Sequence, residues 1–167
     1  IDLTTSYDYD ALDRVVKVTD SLGNEVINRF DANGMPWQVT HRYKRSNGTF
    51  EERNVVTRTF DAADRVKTEA DAQGNTTTYA YDDAGNVIAV TDAEGHTTRF
   101  EYDAMNRRTA VVDATGYRTE TIYNLRGDVV GVKNANDEKA SFEIDELGRK
   151  KAAIDASRKV AQFCANC

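Results

Sequence analysis

One repeat of this chain reads Tyr81-Asp-Asp-Ala-Gly-Asn-Val-Ile-Ala-Val-Thr-Asp-Ala-Glu-Gly-His-Thr-Thr-Arg-Phe-Glu101, and Tyr102-Asp103 begins the next repeat. The pair of an aromatic residue and Asp returns along the chain, in weakened form at Tyr123-Asn124 and Ile144-Asp145. The first residues of these pairs, which we call the anchors, are Tyr9, Phe30, Phe60, Tyr81, Tyr102, Tyr123 and Ile144. Their spacings are 21, 30, 21, 21, 21 and 21 residues. A fixed period of this length indicates a repetitive scaffold.

The residue four positions after each anchor is always of a type that tolerates a positive φ angle. These residues are Asp13, Gly34, Asp64, Gly85, Asn106, Gly127 and Gly148. Asp at the first position of the turn accepts backbone N–H groups, and the fourth position takes the left-handed conformation. The pattern therefore predicts a type I turn that closes into a G1 bulge, a common connection in β-hairpins.

The same turn signal returns halfway through the repeats. It occurs at Asp20-Ser-Leu-Gly23, Asp71-Ala-Gln-Gly74, Asp92-Ala-Glu-Gly95 and Asp113-Ala-Thr-Gly116, and it decays at 134–137 and 155–158. The spacing between successive turns thus alternates between 10 and 11 residues, which leaves room for strands of the usual length between the turns. The intervening segments are rich in Val, Thr, Tyr and Phe, which favours strands. No apolar stripe of helical period occurs, so no helix is predicted.

The single interval of 30 residues contains nine extra residues, around 41–52, where a mid-repeat turn is expected. Asn47-Gly48 is a strong hairpin signal at this place. The sequence therefore predicts a longer hairpin that projects past the edge of the sheet. Its aromatic residues Tyr43 and Phe50, together with Trp37, are candidate contacts for a partner or a glycan. A tolerated insertion without function is the simpler interpretation, since surface loops absorb extra length at little cost.

These signals together predict an all-β protein. Residues 1–167 form a single array of about seven hairpin repeats of 21 residues, and residues 159–167 form a frayed C-terminal segment. The array is an antiparallel β-meander of roughly fourteen strands, and a sheet of this size twists and curves. The anchors share one face by the two-residue period of a strand. The sequence contains no second layer to cover that face, although a domain needs one.

Composition excludes several function classes. The net charge is -6, which argues against a nucleic-acid partner because phosphates require clustered Lys and Arg. The chain has no apolar run long enough for a membrane span. Its start does not resemble a signal peptide, and it reads as a cut within a longer protein.

Candidate catalytic and metal-binding residues are better explained by the repeat. Asp8, Asp10 and Asp13 lack the Gly and Glu that an EF-hand loop requires, and two of them occupy turn positions. His41 and His96 do not suggest a triad with a nucleophile and a base. The Cys164-x-x-Cys167 pair is half of a zinc site or a redox pair at most, and an exposed terminus is the simpler interpretation. We therefore predict no enzyme, no cofactor and no metal.

The pattern Tyr-x-Tyr-Asp-x-x-Gly-Arg/Asn followed by Asp-x-x-Gly-Asn/His-x-Thr resembles the Rhs/YD-repeat family. The segments that carry the resemblance are Tyr79–Asn86 and Phe100–Arg107, with a looser version at Ile144–Arg149. The resemblance extends over about residues 4–158.

The resemblance implies an open piece of a hollow β-shell. Large bacterial members of the family resemble cocoons around a C-terminal toxin, and animal teneurins use a similar barrel in adhesion. The only proline, Pro36, follows Met35, so the Asp-Pro motif of the family's self-cleaving core segment is absent.

The expected function is therefore a structural shell segment that encapsulates a toxin cargo in a secreted or cell-surface bacterial protein. Its partners would be the rest of the shell and the cargo. The alternative is an adhesion or carbohydrate-binding module. Self-association through edge strands is a further expectation.

Overall fold

The computed structural model describes residues 4–155 and 160–162, and all regular structure in these residues is β. The strands are β1 Ser6–Tyr9, β2 Val15–Thr19, β3 Glu25–Phe30, β4 Pro36–Lys44, β5 Phe50–Phe60, β6 Val66–Asp71, β7 Thr76–Tyr81, β8 Val87–Thr91, β9 Thr97–Tyr102, β10 Arg108–Val112, β11 Arg118–Tyr123, β12 Val129–Lys133, β13 Lys139–Ile144, β14 Lys150–Ile154 and β15 Val160–Gln162. They form one antiparallel sheet in chain order. The predicted all-β meander is therefore confirmed. Across the described residues, no helix has the length and apolar character needed to span a membrane.

The strand count exceeds the expected fourteen by one. The additional strand, β15, pairs with β14 and lies inside the segment 159–167 that the sequence analysis treats as frayed. Its turn signal had decayed to Asp155-Ala-Ser-Arg158, so residue types alone did not indicate the hairpin. Cys164 and Cys167 lie outside the described residues.

Residue contacts group the chain into two compact units. The first comprises residues 1–79 and 91–95, and the second comprises residues 80–90 and 96–167. The first unit contains the extended hairpin, and the second contains repeats of regular length. The predicted single array of residues 1–167 stays a prediction.

The turns adopt the conformation that the residue types predicted. Asp13, Asp64 and Asn106 have φ values of 58°, 57° and 59°, and the equivalent glycines lie between 80° and 92°. In each such turn the fourth residue donates its N–H to the carbonyl of the first, and the first donates to the carbonyl of the fifth, as in Asp13 to Asp10 and Asp10 to Arg14. The pairing register also shifts at the anchors, for example between Asp8 and Tyr9 and between Ile122 and Tyr123. The positive φ values, the two hydrogen bonds and the register shifts agree with a type I turn that closes into a G1 bulge.

Very few side chains are fully buried, as a single layer requires. In the second unit the most buried positions are Ala110, Gly131 and Ala152, which follow one another at the repeat period. Ala110 pairs with Glu101 on one side and Glu120 on the other, and Arg118 contacts both carboxylates. Small residues are therefore covered by long charged neighbours on this face. The anchors lie on the opposite face because they alternate with these positions along the strands.

Candidate functional site: the turns, the anchor face and the extended hairpin

Most of the described turns are closed by a side-chain clamp built from the first and fifth residues of the turn. In the turn after Tyr9, Oδ1 of Asp10 accepts the N–H groups of Leu12 and Arg14, at 2.9 and 3.1 Å. Oδ2 accepts Nε of Arg14 at 2.7 Å. The Arg14 guanidinium holds the pKa of Asp10 below its usual value of 3.8. The same Asp–Arg clamp occurs at Asp61–Arg65, Asp103–Arg107 and Asp145–Arg149.

A second version of the clamp uses Asn in place of Arg. Asp82 accepts the side-chain amide of Asn86 at 2.9 Å, and this hydrogen bond holds the pKa of Asp82 below its usual value. Asp20–Asn24 and Asp71–Asn75 repeat the arrangement. Of the three carboxylates that could suggest a metal loop, Asp10 is therefore a turn clamp, Asp13 is the positive-φ residue of the same turn, and Asp8 forms an ion pair with Lys17. Among the described residues, no group of three or more His, Cys, Asp or Glu side chains is placed to hold a metal ion.

Two turns of the second unit carry the clamp with its polarity exchanged. Asn124 replaces Asp at the first position, and its Oδ1 accepts the N–H groups of Arg126 and Asp128. Its Nδ2 donates to Oδ2 of Asp128 at 2.9 Å. Asn134 and Glu138 repeat this exchange. The residues at these turns depart from the sequence motif, but they form the same set of hydrogen bonds as the other clamps.

The anchors are held by residues of the preceding repeat. The guanidinium of Arg14 lies 4.3 Å from the centre of the Phe30 ring, and that of Arg107 lies 4.6 Å from the Tyr123 ring. Arg107 also closes its own turn with Asp103. One arginine therefore joins a turn to the next anchor by a cation–π contact. The sequence analysis placed these arginines beside turn carboxylates, but it did not predict the contact with the ring.

The three candidate contact residues do not form one surface. In β4 the side chains of Trp37, His41 and Tyr43 share the anchor face, and Val39 lies between them on that face. Phe50 pairs with Lys44, which alternates to the other face, and the Arg42 guanidinium lies 4.2 Å from the Phe50 ring. Tyr43 and Phe50 flank the same turn, but they point to opposite sides of the hairpin. The signal that could have shown this is the odd separation of seven positions between Tyr43 and Phe50, because residues on one face of this hairpin are separated by an even number of positions.

The extended hairpin consists of the longest strands of the sheet. Pairing with β3 ends at Arg42, opposite Glu25, and pairing with β6 begins at Val56, opposite Asp71. Residues 43–55 therefore extend beyond the paired parts of the neighbouring strands. Its turn follows the pattern of the other turns, with Gly48 at a φ of 83°.

A shallow open cleft lies at the base of this hairpin, on the anchor face. Its lining residues are Val18, Asp20, Asn24, Glu25, Val26, His41 and Tyr43. Tyr43 is 48% exposed, and its hydroxyl lies 3.2 Å from Nδ1 of His41. The cleft combines an apolar floor, one exposed aromatic ring and an acidic rim. Sequence reasoning identified Tyr43 but not the residues of β2 and β3 that complete the cleft.

Comparison with known proteins agrees with this repeat structure. A model of the RHS Repeat family matches residues 60–97 and 81–119. No curated protein matches the chain. The structure is similar to the Tc holotoxin pore of Photorhabdus luminescens, with a TM-score of 0.75 and 14% identity over 92% of this chain and 9% of that chain.

It is also similar to the TcdB2–TccC3 complex, alone and with Cdc42. Each of these two matches has a TM-score of 0.53 and 18% identity over 90% of this chain and 7% of that chain. At these identities the likeness concerns the fold. The chain spans less than a tenth of the length of the chains it matches.

Proposed function

This chain is an Rhs/YD-repeat protein, and on this basis we propose that it is a non-enzymatic structural segment of a larger β-shell that encloses a toxin cargo. The observation that carries the proposal is the uncovered anchor face. In a single layer the half-buried anchors have no second sheet of the described residues over them, and an apolar face needs a covering layer. A shell that closes around a cargo would supply one.

The turn clamps support a structural role. Asp or Asn at the first position satisfies backbone N–H groups at the rim of the sheet, where the ladder of the strands ends. A clamp that returns in both units keeps the hairpins in register. The carboxylates of these clamps are thereby committed to the scaffold. This assignment accounts for the high Asp content without a catalytic function.

The proposal also includes the location of the protein and its partners. The similar structures belong to toxin complexes, and we infer export from the producing cell as part of a longer chain. The partners would be the remaining shell and the cargo. Among the described strands, the first and the last have a partner on one side only, and a free strand edge favours pairing with further strands.

The encapsulation proposal is tested in the parent protein by removing one whole repeat, residues 81–101. This deletion keeps the alternation of strand direction but shortens the shell wall. We expect a C-terminal cargo domain to become sensitive to an added protease, whereas the parent protein protects it. The matched control is Asp83→Ala, which changes an exposed turn residue outside the clamp. Equal protection of the cargo in the deletion variant, or a parent protein without any domain beyond the repeats, would overturn the proposal.

A second candidate function is glycan binding at the extended hairpin, and the exposed ring of Tyr43 beside the cleft favours it. An aromatic ring next to carboxylate and amide groups can stack on a sugar and bind its hydroxyls. Because Tyr43 and Phe50 lie on opposite faces, their variants separate two surfaces. Tyr43→Ala should abolish binding on a glycan array, and Phe50→Ala should leave it unchanged. A wild-type protein that binds no glycan on the array would remove this candidate.

A further inference from the structure

Two Asn-Gly pairs occur in the first unit, Asn33-Gly34 and Asn47-Gly48. In such a pair the backbone nitrogen of Gly can reach the side-chain carbonyl carbon of Asn, because Gly has no Cβ in the way. The two pairs occupy equivalent third and fourth positions of a turn, and both glycines have a positive φ. They are therefore matched in sequence and in backbone, and they differ only in what surrounds them.

Asn47 is open at its amide nitrogen and polarised at its amide oxygen. Its Oδ1 accepts the N–H of Thr49 at 3.0 Å and the hydroxyl of Thr49 at 2.7 Å. Donors at this oxygen stabilise the negative charge that develops when a nucleophile attacks the adjacent carbon. Within the described residues, Nδ2 of Asn47 makes no hydrogen bond, and no atom outside residues 47–49 lies within 4 Å of a Cβ position at Gly48.

Asn33 is held in place from both sides. Its Nδ2 donates to Oδ1 of Asp64 at 2.9 Å, so the amide nitrogen is bound to a neighbouring turn. Nη1 of Arg14 lies 3.0 Å from a Cβ position at Gly34 and crowds the approach to that residue. Asp31 also clamps this turn by accepting the N–H groups of Asn33 and Met35.

The turn at Asn47 lacks such a clamp because Arg45 stands at its first position. The N–H of Gly48 donates to the carbonyl of Arg45 at 2.9 Å, and this hydrogen bond must open before the nitrogen can attack. Opening is cheap at an exposed hairpin tip, which contributes few contacts to the fold. The tip therefore combines an activated carbonyl with an accessible nucleophile.

We propose that Asn47 is a site of spontaneous deamidation in the folded protein, and that Asn33 is protected. The backbone nitrogen of Gly48 loses its proton and forms a bond to the side-chain carbonyl carbon of Asn47. The bond from that carbon to Nδ2 breaks, and the nitrogen leaves as ammonia with the proton. Water then opens the resulting succinimide ring and gives Asp or isoaspartate at position 47. No oxidant or reductant takes part.

The modification changes the exposed tip of the extended hairpin. It adds one negative charge between Arg45 and Glu51, which form an ion pair across the turn. The isoaspartate product also lengthens the backbone by one atom, which is incompatible with the hydrogen bonds of the turn. A contact surface at this tip would thus change with the age of the protein.

The test is incubation of the full chain in mildly alkaline buffer, followed by proteolysis and mass spectrometry of the two Asn-Gly peptides. We expect conversion at Asn47 to exceed conversion at Asn33 by about tenfold, which corresponds to a difference of about 1.4 kcal/mol in the barrier. In the urea-unfolded chain the two sites should convert at similar rates. Equal rates in the folded protein, or an unconverted Asn47, would overturn the proposal.

Two variants test the origin of the difference. Asp64→Gly removes the carboxylate that holds the amide of Asn33 and suits the positive φ of that position, so conversion at Asn33 should rise several-fold. Thr49→Val removes the hydroxyl donor with little change of shape, so conversion at Asn47 should fall several-fold. An unchanged rate at Asn33 in the first variant, or at Asn47 in the second, would contradict the assigned role of that partner.

Discussion

The phenolic hydroxyl of Tyr102 donates a hydrogen bond to the backbone carbonyl of Val87, which is 2.9 Å away and 15 residues earlier in the chain. Tyr123 makes the same bond to the carbonyl of Arg108. Arg108 lies beyond the last pair of the β10–β11 ladder, which ends at Ala110 and Glu120. The hydroxyl of Tyr123 therefore binds a carbonyl of β10 beyond the point where pairing with β11 ends. Phe30 has no hydroxyl, and Nδ2 of Asn28 donates to the equivalent carbonyl, that of Val15.

Removal of this hydroxyl should destabilise the interior repeats but not the first one. We expect Tyr102→Phe to cost about 0.5–1.5 kcal/mol of unfolding free energy, because a carbonyl loses its partner. Tyr9→Phe is the matched control, since no strand precedes that of Tyr9 in the part of the chain that the structure describes, and Tyr9 is 57% exposed. Urea unfolding followed by circular dichroism measures both. An equal loss in the two variants would show that the hydrogen bond contributes nothing specific.

The exchanged clamp at Asn124 and Asp128 predicts a compensating pair of mutations. Asn124→Asp places a carboxylate opposite Asp128, and the two like charges should lower the urea midpoint. Adding Asp128→Asn restores the arrangement seen at Asp82 and Asn86, so the double variant should recover most of the loss. A double-mutant cycle measures this coupling. Additive effects of the two substitutions would contradict a clamp that works as a pair.

Acid should weaken the turns that have Asp at the first position. Arg107 holds the pKa of Asp103 below 3.8, and Asn86 does the same for Asp82. Because the pKa is lower in the folded state, the stabilisation is complete above pH 3.8 and is lost as the pH falls below it. The N–H groups of Met105 and Arg107, which bind Asp103, should then lose protection from hydrogen exchange.

The turn with the exchanged clamp is the internal control for this prediction. Its fifth residue, Asp128, does titrate, and the hydrogen bond from the amide of Asn124 holds the pKa of Asp128 below its usual value. The N–H groups of Arg126 and Asp128, however, bind the amide oxygen of Asn124, which does not titrate. These two groups should stay protected at the same acidic pH. Loss of protection at both turns in parallel would indicate global unfolding rather than opening of the Asp clamps.

Much of the fold could be predicted from the sequence because a positive φ restricts residue types severely. Asp13 and Gly127 could be assigned to the same turn position although they share no chemistry beyond tolerance of that conformation. The faces of the extended hairpin were harder to predict. That Tyr43 and Phe50 lie on opposite faces follows only from the pairing register of β4 and β5. The bond from Tyr102 to Val87 depends on where the ladder ends, which residue types do not specify. The strand β15 was missed because its turn had lost the signal.

Replacement of a strained turn residue should stabilise the protein. Asp13 adopts a φ of 58°, a conformation that costs an L-residue roughly 1–2 kcal/mol. Gly avoids this cost, but its greater conformational entropy in the unfolded state offsets part of the stabilisation. We therefore expect Asp13→Gly to raise the unfolding free energy by about 0.5–1 kcal/mol. Asp64→Gly is the comparison, because Asp64 accepts a hydrogen bond from Asn33 that the variant loses. A smaller gain at Asp64 than at Asp13 in urea unfolding would agree; the reverse order would contradict the argument.

The exposed first anchor predicts self-association of the isolated chain. Tyr7 and Tyr9 are 53% and 57% exposed on β1, the strand at the outer edge of the sheet. Interior anchors such as Phe30 are covered by an arginine of the preceding repeat, and β1 has no such neighbour. An unpaired edge beside exposed aromatic rings favours pairing with another chain, so the sedimentation coefficient should rise with concentration.

The double variant Tyr7→Lys, Tyr9→Lys should suppress this rise, because lysines on an edge strand oppose pairing. Tyr117→Lys, which changes an exposed turn residue of the second unit, should leave the rise unchanged. A compact wild-type monomer that is unchanged by concentration would contradict the prediction.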